Sequence, residues 1–307
     1  MTSRPAAVVV AAALLVASAC GGDTGRADGD PAARVTATSS VATPTTETPT
    51  TETPTTATPT TAPASTTTAS VDVAALRPPA PAADPATLAG QIADAEAVLR
   101  GRGATEIEVA RAGLAQQVGY RQLGDHPEWD AAVLTALPPA LRPVAESHAA
   151  ARRDLRALTG EPSTEMPAWR IVAPEPAADL VAWYQAAEAE FGVPWQVLAA
   201  VNLVETAMGR IRGTSVAGAQ GPMQFLPATW ATYGEGDVDN ARDAIRGAAR
   251  YLRANGAPAD MAGALWNYNH SDRYVRAVQR YADLIVEHPQ AFAGFHAWGV
   301  WYWTTAG

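Results

Sequence analysis

The chain has 307 residues, with 22 basic side chains, 31 acidic side chains and a net charge of −9. An acidic balance argues against a nucleic-acid partner, and every basic residue is arginine. A single cysteine, Cys20, excludes a disulfide framework and cysteine-based metal sites or nucleophiles in any domain after it. The five histidines are scattered without metal-ligand spacing, so neither a metal nor a cofactor is expected.

Residues 1–20 carry one Arg4, an apolar run from Ala6 to Ala17, and small residues before Cys20. The run is too short to cross a bilayer comfortably and reads as a secretory signal with a lipoprotein-type cleavage site. The reading implies export, lipidation of Cys20 and anchorage at the outer face of the cytoplasmic membrane. Ala17, three residues before Cys20, stands where such sites usually carry a larger aliphatic side chain.

Residues 21–84 are dominated by Thr, Pro, Ala and Ser. The unit Pro-Thr-Thr-Glu-Thr starts at Pro44 and recurs at Pro49, with degenerate copies at Pro54 and Pro59. This composition buries too little apolar surface to offset its ordering entropy and predicts a disordered tether. As a flexible coil, some 60 residues span roughly 45 Å.

From Pro85 the pattern turns helical. Leu88, Ile92, Ala95 and Leu99 fall at helical spacing, Gly101 and Gly103 interrupt, and Ile107, Ala110, Leu114 and Val118 resume it. A third amphipathic stretch covers Leu141 to Leu158. Residues 85–160 therefore read as a helical spacer without chemistry of its own.

Four prolines, Pro162, Pro167, Pro174 and Pro176, mark a boundary. The final domain, residues 161–307, predicts helices over Ala177–Phe191, Pro194–Met208, a short segment after Pro227, Ala241–Asn255, Met261–Tyr268 and Asp272–Val286. The aromatic run Phe295–Trp303 reads as a hydrophobic flap packed on the domain.

Glu205 stands out within the second of these helices. It lies seven residues after Leu198 and four after Val201, on the apolar stripe. A carboxyl on a buried face ionises at cost, so its pKa rises, and a proton held near neutral pH suits an acid catalyst. Downstream, Gly218 and Gly221 permit tight turns around Met223, Gln224 and Phe225. The Gln224 amide can hydrogen-bond sugar hydroxyls or an N-acetyl group, while Met223 and Phe225 can pack on an apolar sugar face. A third segment, Asn267-Tyr268-Asn269, closes one helix before Ser271 or Asp272 caps the next.

In order and spacing, the segments Glu205-Thr206, Gly218-Ala-Gln-Gly-Pro-Met-Gln224 and Tyr268-Asn269 resemble the soluble lytic transglycosylases, lysozyme-like enzymes that cleave peptidoglycan. Thr206 stands where the family usually carries Ser, Pro222 where it carries Leu, and Asn267 where it carries Ala. Asp239–Leu252 is similar to a further helix of that family, and the resemblance covers about Ala177 to Val286.

The resemblance implies a mainly α, lysozyme-like domain that binds peptidoglycan glycan strands. Protonated Glu205 would cleave the bond between N-acetylmuramic acid and N-acetylglucosamine. The same carboxylate would then take the proton of the muramic acid 6-hydroxyl, closing a 1,6-anhydro ring. It also implies that Ser215 and Gln224 contact sugar near the cleaved bond, that Met223 lines the pocket and that Tyr268 hydrogen-bonds Glu205. Asn269, grouped with the substrate-binding residues, would mainly support the local backbone. Glu235, Asp237, Asp239 and Asp272 look like loop and cap residues, so no second catalytic carboxylate has a motif. A lysozyme-like hydrolase that uses water, or a non-catalytic peptidoglycan-binding scaffold, remains the alternative.

Overall fold

The computed structural model describes residues 76–160, 164, 168–302 and 305. The leader, Cys20 and most of the Thr/Pro tether lie outside the described residues. What is described is mainly α, as the sequence predicts, with one two-stranded ribbon. Among the described residues no helix is long and apolar enough to cross a membrane.

Four helices come first: α1 (Pro85–Arg100), α2 (Glu106–Asp125), the short α3 (Asp130–Ala136) and α4 (Arg142–Arg156). Asp84 caps α1 by accepting from the backbone N–H groups of Ala86 and Thr87, and Pro85 occupies the first turn. Thr105 and Glu108 form a reciprocal capping box at the start of α2. Ala82, which the sequence reading places in the tether, is buried, and Gln122 of α2 bonds both its N–H and its carbonyl, at 2.8 and 2.7 Å.

The second half begins with β1 (Arg170–Ile171), paired antiparallel with β2 (Ile211–Arg212). Between the two strands lie α5 (Ala177–Phe191) and α6 (Trp195–Thr206). After them come α7 (Pro227–Tyr233), α8 (Ala241–Ala254), α9 (Met261–Tyr268), α10 (Asp272–Glu287) and α11 (Ala291–Ala297). α6 is the central element, packed on α5, α8 and α10. Nine of its twelve residues are buried, including Ala199, Ala200, Val201 and Leu203. The expected apolar stripe is thus an apolar helix buried almost all round, because neighbours cover it on several sides.

The first four helices pack directly on the second half. α4 lies against α10, and α2 lies against α11. The α2–α11 approach requires Gly113, where a Cβ would fall 2.6 Å from Cβ of Ala297 and 2.9 Å from the carbonyl of Gly294. One continuous core runs from Leu88 and Ile92 through Leu123 and Ala145 to Leu198, Ile245 and Phe295.

The aromatic run after α11 folds back onto α2. Trp298 Nε1 donates to Gln116 Oε1 and Trp301 Nε1 donates to Gln117 Oε1, both at 2.9 Å. Gln117 also accepts from the Gly299 N–H and donates to the Gly299 carbonyl. These bonds satisfy the indole N–H groups that an apolar flap would otherwise bury unpaired. Trp303 lies outside the described residues.

Candidate active site

α6 ends abruptly, and the manner of its ending builds the site. Ala207, Met208 and Gly209 all adopt left-handed backbone, with φ of 52°, 63° and 79°. The Ala207 N–H donates to the Leu203 carbonyl at 3.0 Å, the bond of a helix-terminating αL motif, and the Met208 N–H reaches back to the Asn202 carbonyl at 3.1 Å. Left-handed Met and Ala are costly. Met208 is held there by burial, and Arg210 bridges the Ala207 carbonyl to the His296 carbonyl of α11. Glu205 sits one residue before the end of α6.

The Glu205 carboxyl is mostly enclosed and, among the described residues, has one hydrogen-bond donor, Tyr274 Oη on α10, 2.6 Å from Oε1. Desolvation raises its pKa to about 7, and the Tyr274 bond lowers it only in part. A second buried glutamate shows why the donor count matters. Glu96 on α1 is also desolvated, but it accepts from Gln116, Arg100 and Tyr120 at 2.7–2.9 Å. Its pKa is held below the ordinary value despite that burial. Three donors, one of them the Arg100 guanidinium, outweigh the burial of Glu96, whereas the one donor of Glu205 does not.

The loop carrying Gln224 is pinned to α6 by side chains. Gln220 and Phe225 exchange both backbone hydrogen bonds at 2.8 Å, closing a tight loop over Gly221, Pro222, Met223 and Gln224. Gly221 has φ 71°, and a Cβ there would fall 1.9 Å from the Val238 carbonyl oxygen. Thr206 Oγ1 donates to the Pro222 carbonyl at 2.6 Å and accepts from the Gly209 N–H at 3.0 Å. Asn202 Nδ2 donates to the same Pro222 carbonyl at 2.8 Å, and its Oδ1 accepts from Tyr184 Oη at 2.6 Å. Thr206 therefore helps to hold the loop through its hydroxyl, together with Asn202.

Several sequence-predicted roles need correction. Tyr268 does not bond Glu205; its hydroxyl donates to the Met223 carbonyl at 2.7 Å and so holds the loop from the other side. Tyr274 takes the role expected of it, and the two phenol rings stack with centroids 6.4 Å apart. Tyr268 is nonetheless close enough for the Glu205 charge to raise its pKa, after the larger effect of burial. Met223 and Phe225 are buried in the core, so neither offers a face to a sugar; the tight loop turns both inward.

Gln224 is half-buried at φ 52°, and its Nε2 donates to the Gly221 carbonyl. Its Oε1 has no protein donor among the described residues. Ser215 Oγ accepts from the Ala219 N–H at 3.0 Å and shapes its own turn; no hydrogen bond joins it to Glu205. The Asn269 side chain makes no hydrogen bond to the local backbone, contrary to expectation. Its Oδ1 is a buried acceptor without a donor.

The sequence reading missed Tyr274, Asn202 and Tyr184. Tyr274 reads as an ordinary core aromatic of α10, beside Val275 and Val278; the available signal was that a buried phenol needs a partner. The four loop carboxylates are engaged elsewhere or on the surface. Glu235 pairs with Arg246 and Arg250, and Asp237 accepts from the Asp239 N–H. Burial and Tyr274 account for the Glu205 shift, with no contribution from another carboxylate. Among the described residues no group of three His, Cys, Asp or Glu could hold a metal ion.

No family model matches the chain, and no solved structure does. Among curated proteins it is similar to the membrane-bound lytic murein transglycosylase F of Thiobacillus denitrificans, with 31% identity over 128 residues. The match takes in 39% of this chain and 27% of the relative, so the chain spans about a quarter of that protein's length. In its motifs and over these 128 residues, the chain is similar to a lytic transglycosylase.

Proposed function

We propose that the protein is a peptidoglycan lytic transglycosylase with Glu205 as its single acid and base. The observation that carries the reading is the Glu205 carboxyl, desolvated to a pKa of about 7 with one donor on Oε1. Because Tyr274 donates to Oε1, the acid proton sits on Oε2, free to pass to a glycosidic oxygen. As the bond between N-acetylmuramic acid and N-acetylglucosamine breaks, charge develops at the muramic acid C1. The new Glu205 carboxylate, stabilised by Tyr274, then accepts the proton of the 6-hydroxyl as that oxygen closes on C1. The products are a 1,6-anhydro-muramic acid end and a free N-acetylglucosamine end.

Most glycosidases flank the bond with two carboxylates. Internal attack by the muramic acid 6-hydroxyl needs neither a nucleophilic carboxylate nor an activated water. Gln224 Oε1, on a half-buried side chain, is an acceptor suited to sugar hydroxyls or acetamido N–H groups, and Asn269, whose Oδ1 is buried, stands behind it as a neighbour of Tyr268. Ser215 stands as a further sugar contact from its turn, and Met223 acts through its backbone.

We further place the enzyme outside the cytoplasmic membrane, anchored by a lipid on Cys20 and reaching the wall through the tether. The leader sequence supports this, as does the membrane-bound description of the relative. Loss of membrane association in Cys20→Ser would test the anchor.

Product analysis tests the reaction. Purified sacculi are digested and the released muropeptides reduced with borohydride. Anhydro ends that resist reduction, lost with Glu205→Gln, support the reading. Reducible muramic acid ends would make the protein a hydrolase with the same acid. No release by wild type, with sacculi still bound, would make it a scaffold.

A further inference from the structure

A cavity of about 80 Å³ lies behind α6, where α2, α4, α10 and the C-terminal segment meet. Leu203 and Val204 form part of its wall. Helical spacing sends Glu205 to the far side of the same helix, and Glu205 does not line the cavity. Leu155 adds a second apolar wall.

The polar end is unusual in its charge. Arg152 is buried, yet its Nε has no hydrogen-bond partner. Its only ion pair among the described residues is with Asp125, at 3.4 Å. Arg121 makes no ion pair among the described residues; its guanidinium rests over the Trp301 ring, 4.5 Å from the centroid. Burial and then the Arg152 charge pull the Arg121 pKa down to about 9, which places the two cations within electrostatic range of each other. Both also lower the Tyr281 hydroxyl against its own burial, so that hydroxyl stands close to them. Two arginines share one carboxylate, Asp125, which Arg152 contacts at 3.4 Å, and this leaves a net positive charge beside an apolar recess. Such a charge is costly unless something neutralises it.

We propose that this cavity is a binding site for a small organic carboxylate with an apolar body. The carboxylate pairs with the Arg121 guanidinium, whose planar donors suit it, and the charge of the buried Arg152 beside it adds to the attraction. The Tyr281 hydroxyl supplies a further donor, and the apolar body rests on Leu155, Leu203 and Val204. A carboxylate fits better than a phosphate because Asp125 already offsets part of the charge and the recess is largely apolar.

The site is tested with benzoate, using benzyl alcohol and inorganic phosphate as controls, by tryptophan fluorescence of the purified chain. Benzoate is expected to bind saturably and perturb Trp298 and Trp301, and neither control should match it. Arg121→Gln should weaken benzoate by about tenfold or more, the loss expected for a charge-assisted pair. Leu155→Phe fills the recess without touching the charges and should also abolish binding, which keeps the test valid if Arg121→Gln fails to fold. Glu205→Gln should leave benzoate binding unchanged, so the outcome is independent of the catalytic reading. Equal binding of benzyl alcohol or of phosphate would overturn the proposal. So would no binding of benzoate, or benzoate affinity unchanged in both pocket variants.

Discussion

Tyr274 Oη donates to Glu205 Oε1 at 2.6 Å, joining the end of α6 to the first turn of α10 across 69 residues of sequence. The bond stabilises the carboxylate more than the acid, so it both moderates the raised pKa and supports the anion left after proton donation. Tyr274→Phe should move the alkaline limb of the activity profile up by about one pH unit and lower kcat by about tenfold or more. Tyr268→Phe removes only the bond to the Met223 carbonyl. It should raise KM through the Gln224 loop and leave the alkaline limb in place. pH–rate profiles of the two variants side by side separate these roles, and a limb that moves with Tyr268→Phe alone would reverse them.

Thr206 should matter through its hydroxyl. Thr206→Val leaves the Pro222 carbonyl with one donor and the Gly209 N–H with none, a loss of about 1–3 kcal/mol. Thr206→Ser should recover most of it. Chemical denaturation of both variants checks the prediction; equal destabilisation by Val and Ser would assign the role to the methyl group instead.

The first four helices should be inseparable from the rest. Removing residues before 161 uncovers Tyr281, Phe295 and Trp298, which pack against α2 and α4, and strands the indole N–H of Trp298. The remaining fragment is expected to be insoluble or to lack a cooperative thermal transition. A soluble fragment with a sharp melt would show that the two halves fold apart.

Glu205 should also cost stability at alkaline pH. In the unfolded chain it ionises near the ordinary 4.5, whereas the folded protein keeps the proton up to about 7. The folded state binds the extra proton across that window, so stability falls as pH rises through it and the full cost is present above it. The gap corresponds to roughly 3 kcal/mol. Glu205→Gln should therefore be more stable than wild type at pH 8 and close to it at pH 4. Denaturation at the two pH values would show an equal difference at both if the carboxyl were not shifted.

Much of the helical framework was legible from local signals. Periodicity and caps mark α5 and α9 to the residue and α8 and α10 to within a residue at one end, because Asn240, Asp260 and Ser271 cap three of these helices. The short α3 and α11 were missed; each has seven residues and no side-chain cap. Glu205 was legible because a carboxylate within an apolar helix conflicts with its neighbours. Its partner was not, since Tyr268 and Tyr274 both look like core aromatics and only tertiary packing decides which hydroxyl reaches Oε1. The inward turn of Met223 and Phe225 was equally hidden, because loop sequence sets the tightness of the turn and the Tyr268 and Thr206 bonds set its orientation. The packing of α2 on α11 rests on Gly113, which in a helix reads only as a weak point.

The central claim is that Glu205 holds its proton near neutral pH, and direct titration tests it. Carbon-13 NMR of glutamate-labelled protein, with Glu205→Gln to assign the missing resonance, gives the carboxyl pKa. The predicted result is a single group titrating at about 7, coincident with the loss of activity as pH rises. A Glu205 resonance that titrates in the ordinary carboxylate range, with activity unchanged well above neutral, would contradict the account.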